Sequence, residues 1–91
     1  MPDIADRLAA AVLAHPAVVR LDGGPFGTVA TALPGRRVVG VGVDARGGVE
    51  VAVVLTADRP IPAVTAELRE LVRGVAGGVP VDVHVSDVEA R

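Results

Sequence analysis

The chain has 91 residues, of which 51% are apolar, with nine basic and eleven acidic side chains and a formal charge of −2. That length supports one core and excludes two full domains, and the apolar content excludes a disordered chain. The small, interspersed charge argues against electrostatic binding to nucleic acid.

The residue inventory narrows the chemistry further. There is no Cys, which removes disulfides, thiolate nucleophiles and Cys-based zinc sites. Phe26 is the only aromatic residue, Ser86 the only Ser, and every basic residue is Arg. The core must therefore be aliphatic. The absence of Lys, Asn and Gln reads as GC-rich codon usage rather than as a functional signal. No apolar run approaches the ~18 residues of a membrane span, and no secretory leader is recognisable. The expectation is a cytoplasmic chain without direct membrane insertion.

Ile4, Leu8, Ala11, Val12 and His15 fall on one helical face, which predicts a first helix. Asp3 is placed to cap it, Asp6 lies in its first turn, and Pro16 ends it. His15 is expected to act as a partial cap at its C-terminal end. Residues 17–21 read as a strand, followed by the turn signal Asp22-Gly23-Gly24-Pro25. A short strand at 27–33 precedes a second turn, Pro34-Gly35. Strands at 37–44 and 48–56 follow as a hairpin across Ala45-Arg46-Gly47-Gly48.

Pro62 suits the start of a second helix. Val64, Leu68, Leu71, Val72 and Val75 form its apolar stripe, and Gly77-Gly78 with Pro80 stops it. Residues 81–88 alternate as a half-buried strand. The order is α-β-β-β-β-α-β. It predicts a single α+β domain, a two-layer sandwich with both helices on one face of a mostly antiparallel sheet.

The 48–56 strand is apolar on both sides. Val49, Val51, Val53 and Leu55 point one way, Ala52 and Val54 the other. Such a strand expects cover on both faces. If helices cover only one, Ala52 and Val54 mark an interface; otherwise the strand is simply central.

Candidate catalytic groups are weak. Ser86 lies in no nucleophile elbow, and no triad pattern is present. Asp82, His84 and Ser86 share one side of the last strand, as a polar relay, as half a metal site with His15, or as a solvated face. No catalytic, cofactor or metal residue is assigned. Gly24-Pro25-Phe26-Gly27 follows a strand but lacks the spacing and the helix of a phosphate loop. It matches the G-x-x-G of KH nucleic-acid-binding domains, whose loop joins two helices. Arg36-Arg37, after Pro34-Gly35, is the only basic pair, suited to an acidic partner or to an exposed hairpin end.

The stretch from Leu21 to Val38 (LDGGPFGTVATALPGRRV) resembles short, high-GC-bacterial members of the alkaline shock protein (envelope stress response) family. The Ile4–Arg7 opening, His15–Val19, Pro60–Val64 and the closing Val81–Val85 are similar as well. Ala32 stands where close relatives would carry an aromatic. The resemblance implies a non-enzymatic intracellular protein without a cofactor. Its implied partners are related paralogues or small integral-membrane proteins that hold it at the inner face of the membrane. The resulting expectation is a stress-associated scaffold or adaptor that forms homo-oligomers and binds a protein partner. Its contact residues would be Gly24, Phe26, Gly27, Pro34, Gly35, Arg36 and Arg37, with Ala52 and Val54 on the sheet. The alternative is a KH-like module for single-stranded nucleic acid.

Overall fold

One strand organises the molecule. In the computed structural model, which describes residues 3–90, β5 (Val49–Thr56) is buried along nearly its whole length. The other elements are α1 (Ile4–Leu13), β1 (Val18–Leu21), β2 (Ala30–Leu33), β3 (Arg36–Val39), β4 (Val41–Val43), α2 (Ile61–Ala76) and β6 (Val81–Glu89). The class is α+β with a mostly antiparallel sheet, as the order of periodicities predicts. Among the described residues there is one more strand than expected, because Gly40 divides the 37–44 run in two.

β6 runs parallel to β5 along one edge, from Val49↔Val81 to Thr56↔Glu89. The other edge of β5 is shared by two short antiparallel strands placed end to end. β1 pairs with it at Leu55 to Val53, and β4 at Val51 to Val49. Between them the Asp22 N–H donates to the Ala52 carbonyl, and the Ala52 N–H donates to the Gly40 carbonyl. β1 and β4 are thus two halves of one broken strand. The chain leaves it at Asp22 and rejoins it at Gly40.

Residues 22–39 form the excursion. Its second half is the β2–β3 hairpin, registered from Ala30↔Val39 to Leu33↔Arg36 around Pro34-Gly35. The Thr31 hydroxyl donates to the Val41 carbonyl at 2.6 Å, tying β2 to β4. Arg36 makes a two-pronged bond to Asp6 of α1, at 2.8 and 2.6 Å. The hairpin is fastened at both ends.

The helices pack on the face of the sheet that carries Val49, Val51, Val53 and Leu55. Ala5, Leu8 and Val12 of α1 and Val64, Leu68 and Val72 of α2 complete this core. Ala5 rather than Ile4 faces inward, so the buried stripe of α1 is turned slightly from the one read from sequence. Asp3 caps α1 as expected, accepting from the Ala5 N–H at 2.9 Å. α2 begins one residue earlier than Pro62 suggests, with Pro60 as its cap residue.

The opposite face of β5 is closed as well. Ala52 and Val54 are 0% and 1% exposed, so they offer no open apolar surface, contrary to the interface expectation. The cover is made by loop and side chain instead of helix. Gly24 sits directly over Ala52: a Cβ built on Gly24 would lie 3.9 Å from the Ala52 Cβ and 2.9 Å from Val29 Cγ2. Farther along, Arg20 of β1 pairs with Glu89 of β6 at 2.8 Å. β1 and β6 flank β5 on opposite edges, so this ion pair crosses the face of β5 at Val54 and Thr56. Asp22 and Ser86 of β6 line one groove on the same face.

Candidate functional site

The residues singled out between 22 and 37 fall into two separate places. Pro34, Gly35, Arg36 and Arg37 belong to the hairpin turn, whose Arg36 is taken up by Asp6 on the helix side. Gly24 lies over Ala52 on the other side of the sheet, with Phe26 and Gly27 in the same turn. They do not form one continuous surface. Arg37 is exposed beside Ala32 in the hairpin.

The loop over Ala52 is a constructed turn. The Asp22 carboxylate accepts from the Gly24 N–H at 3.0 Å. The Gly27 N–H returns to the Gly24 carbonyl at 3.1 Å, closing a four-residue turn with Pro25 and Phe26 at its corners. Pro25 occupies the corner whose φ its ring pre-sets. Gly24 and Gly27 adopt φ of 78° and 68°, in the region that L side chains avoid. The Val29 N–H donates to the Gly23 carbonyl at 2.9 Å, and the Gly40 N–H to the Val29 carbonyl at 2.7 Å. The turn is therefore bonded back to the break in the strand.

This frame presents Phe26 to solvent. The only aromatic side chain of the protein is 87% exposed. Burying a phenyl ring is worth roughly 1.5–3 kcal/mol, and a core made of Val, Leu and Ala leaves this contribution unused. Arg and aromatic side chains are the usual anchors of protein interfaces.

A shallow groove runs beside the turn, lined by Asp22, Gly24, Pro25, His84 and Ser86. The surface around it is acidic. Glu50 and Asp82 lie at one end, where His84 Nε2 meets Glu50 Oε1 at 2.7 Å, and Asp87 and Glu89 at the other. Asp22 sits below the ordinary carboxylate range, held there first by the Ser86 hydroxyl and next by the Gly24 N–H. Asp82, His84 and Ser86 do lie near one another, with Ser86 at a bulge in the β6 register. His84 has Glu50 as its partner and Ser86 shares the groove with Asp22, neither of which the sequence could pair with them.

His15 belongs to a different environment. It is only 7% exposed, on the helix side of the sheet, and does not approach His84. Its Nδ1 accepts from the Ala17 N–H at 3.0 Å, and its Nε2 meets Glu67 Oε1 at 2.9 Å. With Nδ1 accepting, the proton lies on Nε2 and is donated to Glu67. The ring therefore joins the α1–β1 connection to α2 and does not cap helix carbonyls. Glu67 is held below its ordinary range first by Arg59 and then by His15. Among the described residues, no three His, Asp or Glu side chains gather as a metal site would require.

The Gly24–Gly27 turn joins β1 to β2, not one helix to another, so it lacks the setting of a KH loop. Among the described residues, no helix is long and apolar enough to cross a membrane. No family model, curated protein or solved structure matches the chain.

Proposed function

We propose that this protein is a non-enzymatic scaffold or adaptor that self-associates and binds a protein partner, with Phe26 as the anchor of the partner contact. The observation that carries this reading is an aromatic ring left in solvent on a turn whose backbone is bonded in place. The backbone beneath the ring is already ordered, so binding adds little backbone ordering cost and an apolar pocket on a partner keeps most of the burial free energy.

The resemblance of residues 21–38 to the alkaline shock protein family supports the same class of role: a stress-associated adaptor in the cytoplasm, held peripherally at the envelope by a paralogue or a small membrane protein. The nucleic-acid alternative has less support. Gly24–Gly27 lacks flanking helices, Arg36 is engaged by Asp6, and the surface beside the turn carries Asp22, Glu50, Asp82 and Asp87.

The test is affinity capture from native cells with the wild-type chain and with Phe26→Ser. Proteins retained by the first and lost by the second, at unchanged thermal stability, support the reading. Identical capture profiles, or capture that depends on RNA, overturn it.

A further inference from the structure

We propose that the free edge of β6 is the self-association site, and that its occupant is the β6 edge of a second copy, paired antiparallel about Val83. This deepens the self-association part of the proposed function and rests on it.

β6 is bonded along one side only. β5 takes that side, and among the described residues no strand lies along the other. The direction of its backbone groups follows from two bonds. The Pro80 carbonyl accepts from the Val49 N–H, and the Glu89 carbonyl from the Ala57 N–H. Backbone groups alternate sides along a strand, so Asp82 and His84 point theirs toward β5. Val81, Val83 and Val85 then aim their N–H and C=O groups outward. An unpaired row of this kind is a template for another strand, and folded proteins usually blunt it with Lys, Pro or a covering loop. The segment 81–85 contains no Lys, Arg or Pro.

The register follows from where the strand is regular. Residues 81–85 pair in step with 49–53, and the register shifts just beyond, at Ser86. The midpoint of the regular edge is Val83. Its sequence, Val-Asp-Val-His-Val, is complementary to itself when reversed about that midpoint. Val83 meets Val83 of the second copy in a doubly hydrogen-bonded pair, and Val81 meets Val85. Asp82 stands opposite His84, twice, on the face away from the helices. A two-fold axis through Val83 thus pairs acid with imidazole and Val with Val at every step. A carboxylate facing an imidazole N–H can accept a hydrogen bond from it, whereas like charges placed opposite destabilise a sheet. His84 already touches Glu50 in its own chain and would stand between two carboxylates.

Such an interface is isologous and closes at two copies. It extends each sheet into one continuous sheet, with all four helices on the same side. It leaves Phe26 exposed, so a dimer would present two anchors.

The experiment is light scattering with size-exclusion chromatography over a concentration series, at low and high salt, on the full chain. Circular dichroism confirms that each variant is folded. His84→Asp puts Asp opposite Asp at both positions and should weaken the dimer by about tenfold or more. Adding Asp82→His to that variant exchanges the pair and should restore dimerisation. Val83→Pro removes an outward N–H without touching the β5 ladder and should give a monomer. A wild-type chain that stays monomeric throughout overturns this proposal, leaving partner capture through Phe26 as a separate question. A dimer that survives these changes, or is lost in His84→Asp and not recovered in the double variant, also overturns it. A dimer abolished by Phe26→Ser alone would move the interface to the turn.

Discussion

Gly40 lies against Leu21 so closely that a Cβ on Gly40 would stand 2.6 Å from the Cβ of Leu21. The two residues mark the facing ends of β4 and β1, where the broken strand is rejoined. Gly40 also has φ of 91°, a conformation that costs an L residue about 1–3 kcal/mol. Gly40→Ala combines that strain with a backbone collision, since Asp22 N and Ala52 O also lie within about van der Waals contact. It should destabilise by more than about 2 kcal/mol. Gly35→Ala at the hairpin turn has φ of 75° and nothing within 4 Å, so it carries strain alone, about 1–2 kcal/mol. Urea midpoints of the two variants at unchanged slope give the comparison.

The closed far face of β5 makes a second prediction. Val54→Asp places a carboxylate at a position that is fully covered by the protein. It should cost more than about 3 kcal/mol or prevent folding. Val54→Ala should cost about 1–3 kcal/mol, through the cavity it leaves. Chemical denaturation decides. A Val54→Asp variant as stable as wild type would show that this face is open to water.

Phe26 and Leu68 separate exposure from burial. Leu68→Ala removes a core side chain and should cost about 2–5 kcal/mol. Phe26→Ala should change stability by no more than about 0.5 kcal/mol. Denaturant midpoints measured side by side give the contrast. A large loss at Phe26 would mean that the ring is packed and cannot serve as a free anchor.

Acid should weaken the fold in a defined window. Asp6, Asp22 and Glu67 are all held below their ordinary values of 3.8, 3.8 and 4.5 by Arg36, Ser86 and Arg59 respectively. A carboxyl depressed in the folded state contributes stability that is fully present above its unfolded pKa. That stability is lost as pH falls through the folded pKa. The melting temperature should therefore hold through the neutral range and decline below about pH 4.5, where Glu67 begins to differ. Glu67→Gln should flatten the upper part of that decline. Scanning calorimetry across pH 2.5–7 provides the reading, and a decline beginning above pH 6 would point to another group.

The Arg36–Asp6 clamp is exposed and should contribute little to global stability. Its effect should appear locally. Arg36→Ala should raise amide exchange in β2 and β3 more than in β5, and added salt should narrow the difference. Uniform exchange rates in both proteins would argue that Thr31 and the core contacts of Val38 hold the hairpin alone.

Those elements were legible in sequence whose signal is local. The 3.6-residue stripes placed α1 and α2, and Gly-Pro punctuation placed the turns. Alternation placed β6, because each pattern reflects one face of one element. Gly40 is not legible as a break, since Val39 to Val43 alternates Val and Gly without interruption. Only the approach of Leu21, nineteen positions earlier, reveals it. The doubly apolar β5 correctly asked for two covers. That the second would be a glycine loop and the Arg20–Glu89 bridge depends on partners far apart in the chain. For the same reason the bond from His15 to Glu67, 52 positions away, is invisible in sequence, where the ring's place before Pro16 suggests a helix cap.

Asp22 and Gly40 stand side by side on Ala52, so the segment between them departs from and returns to almost the same point. A stretch anchored this way can lengthen, shorten or change its residues while the scaffold beneath keeps its alignment. The molecule therefore separates what must stay constant from what is free to vary. Diversification among descendants of this sequence should concentrate in that bracketed insert, where new binding preferences can arise without a redesign of the core.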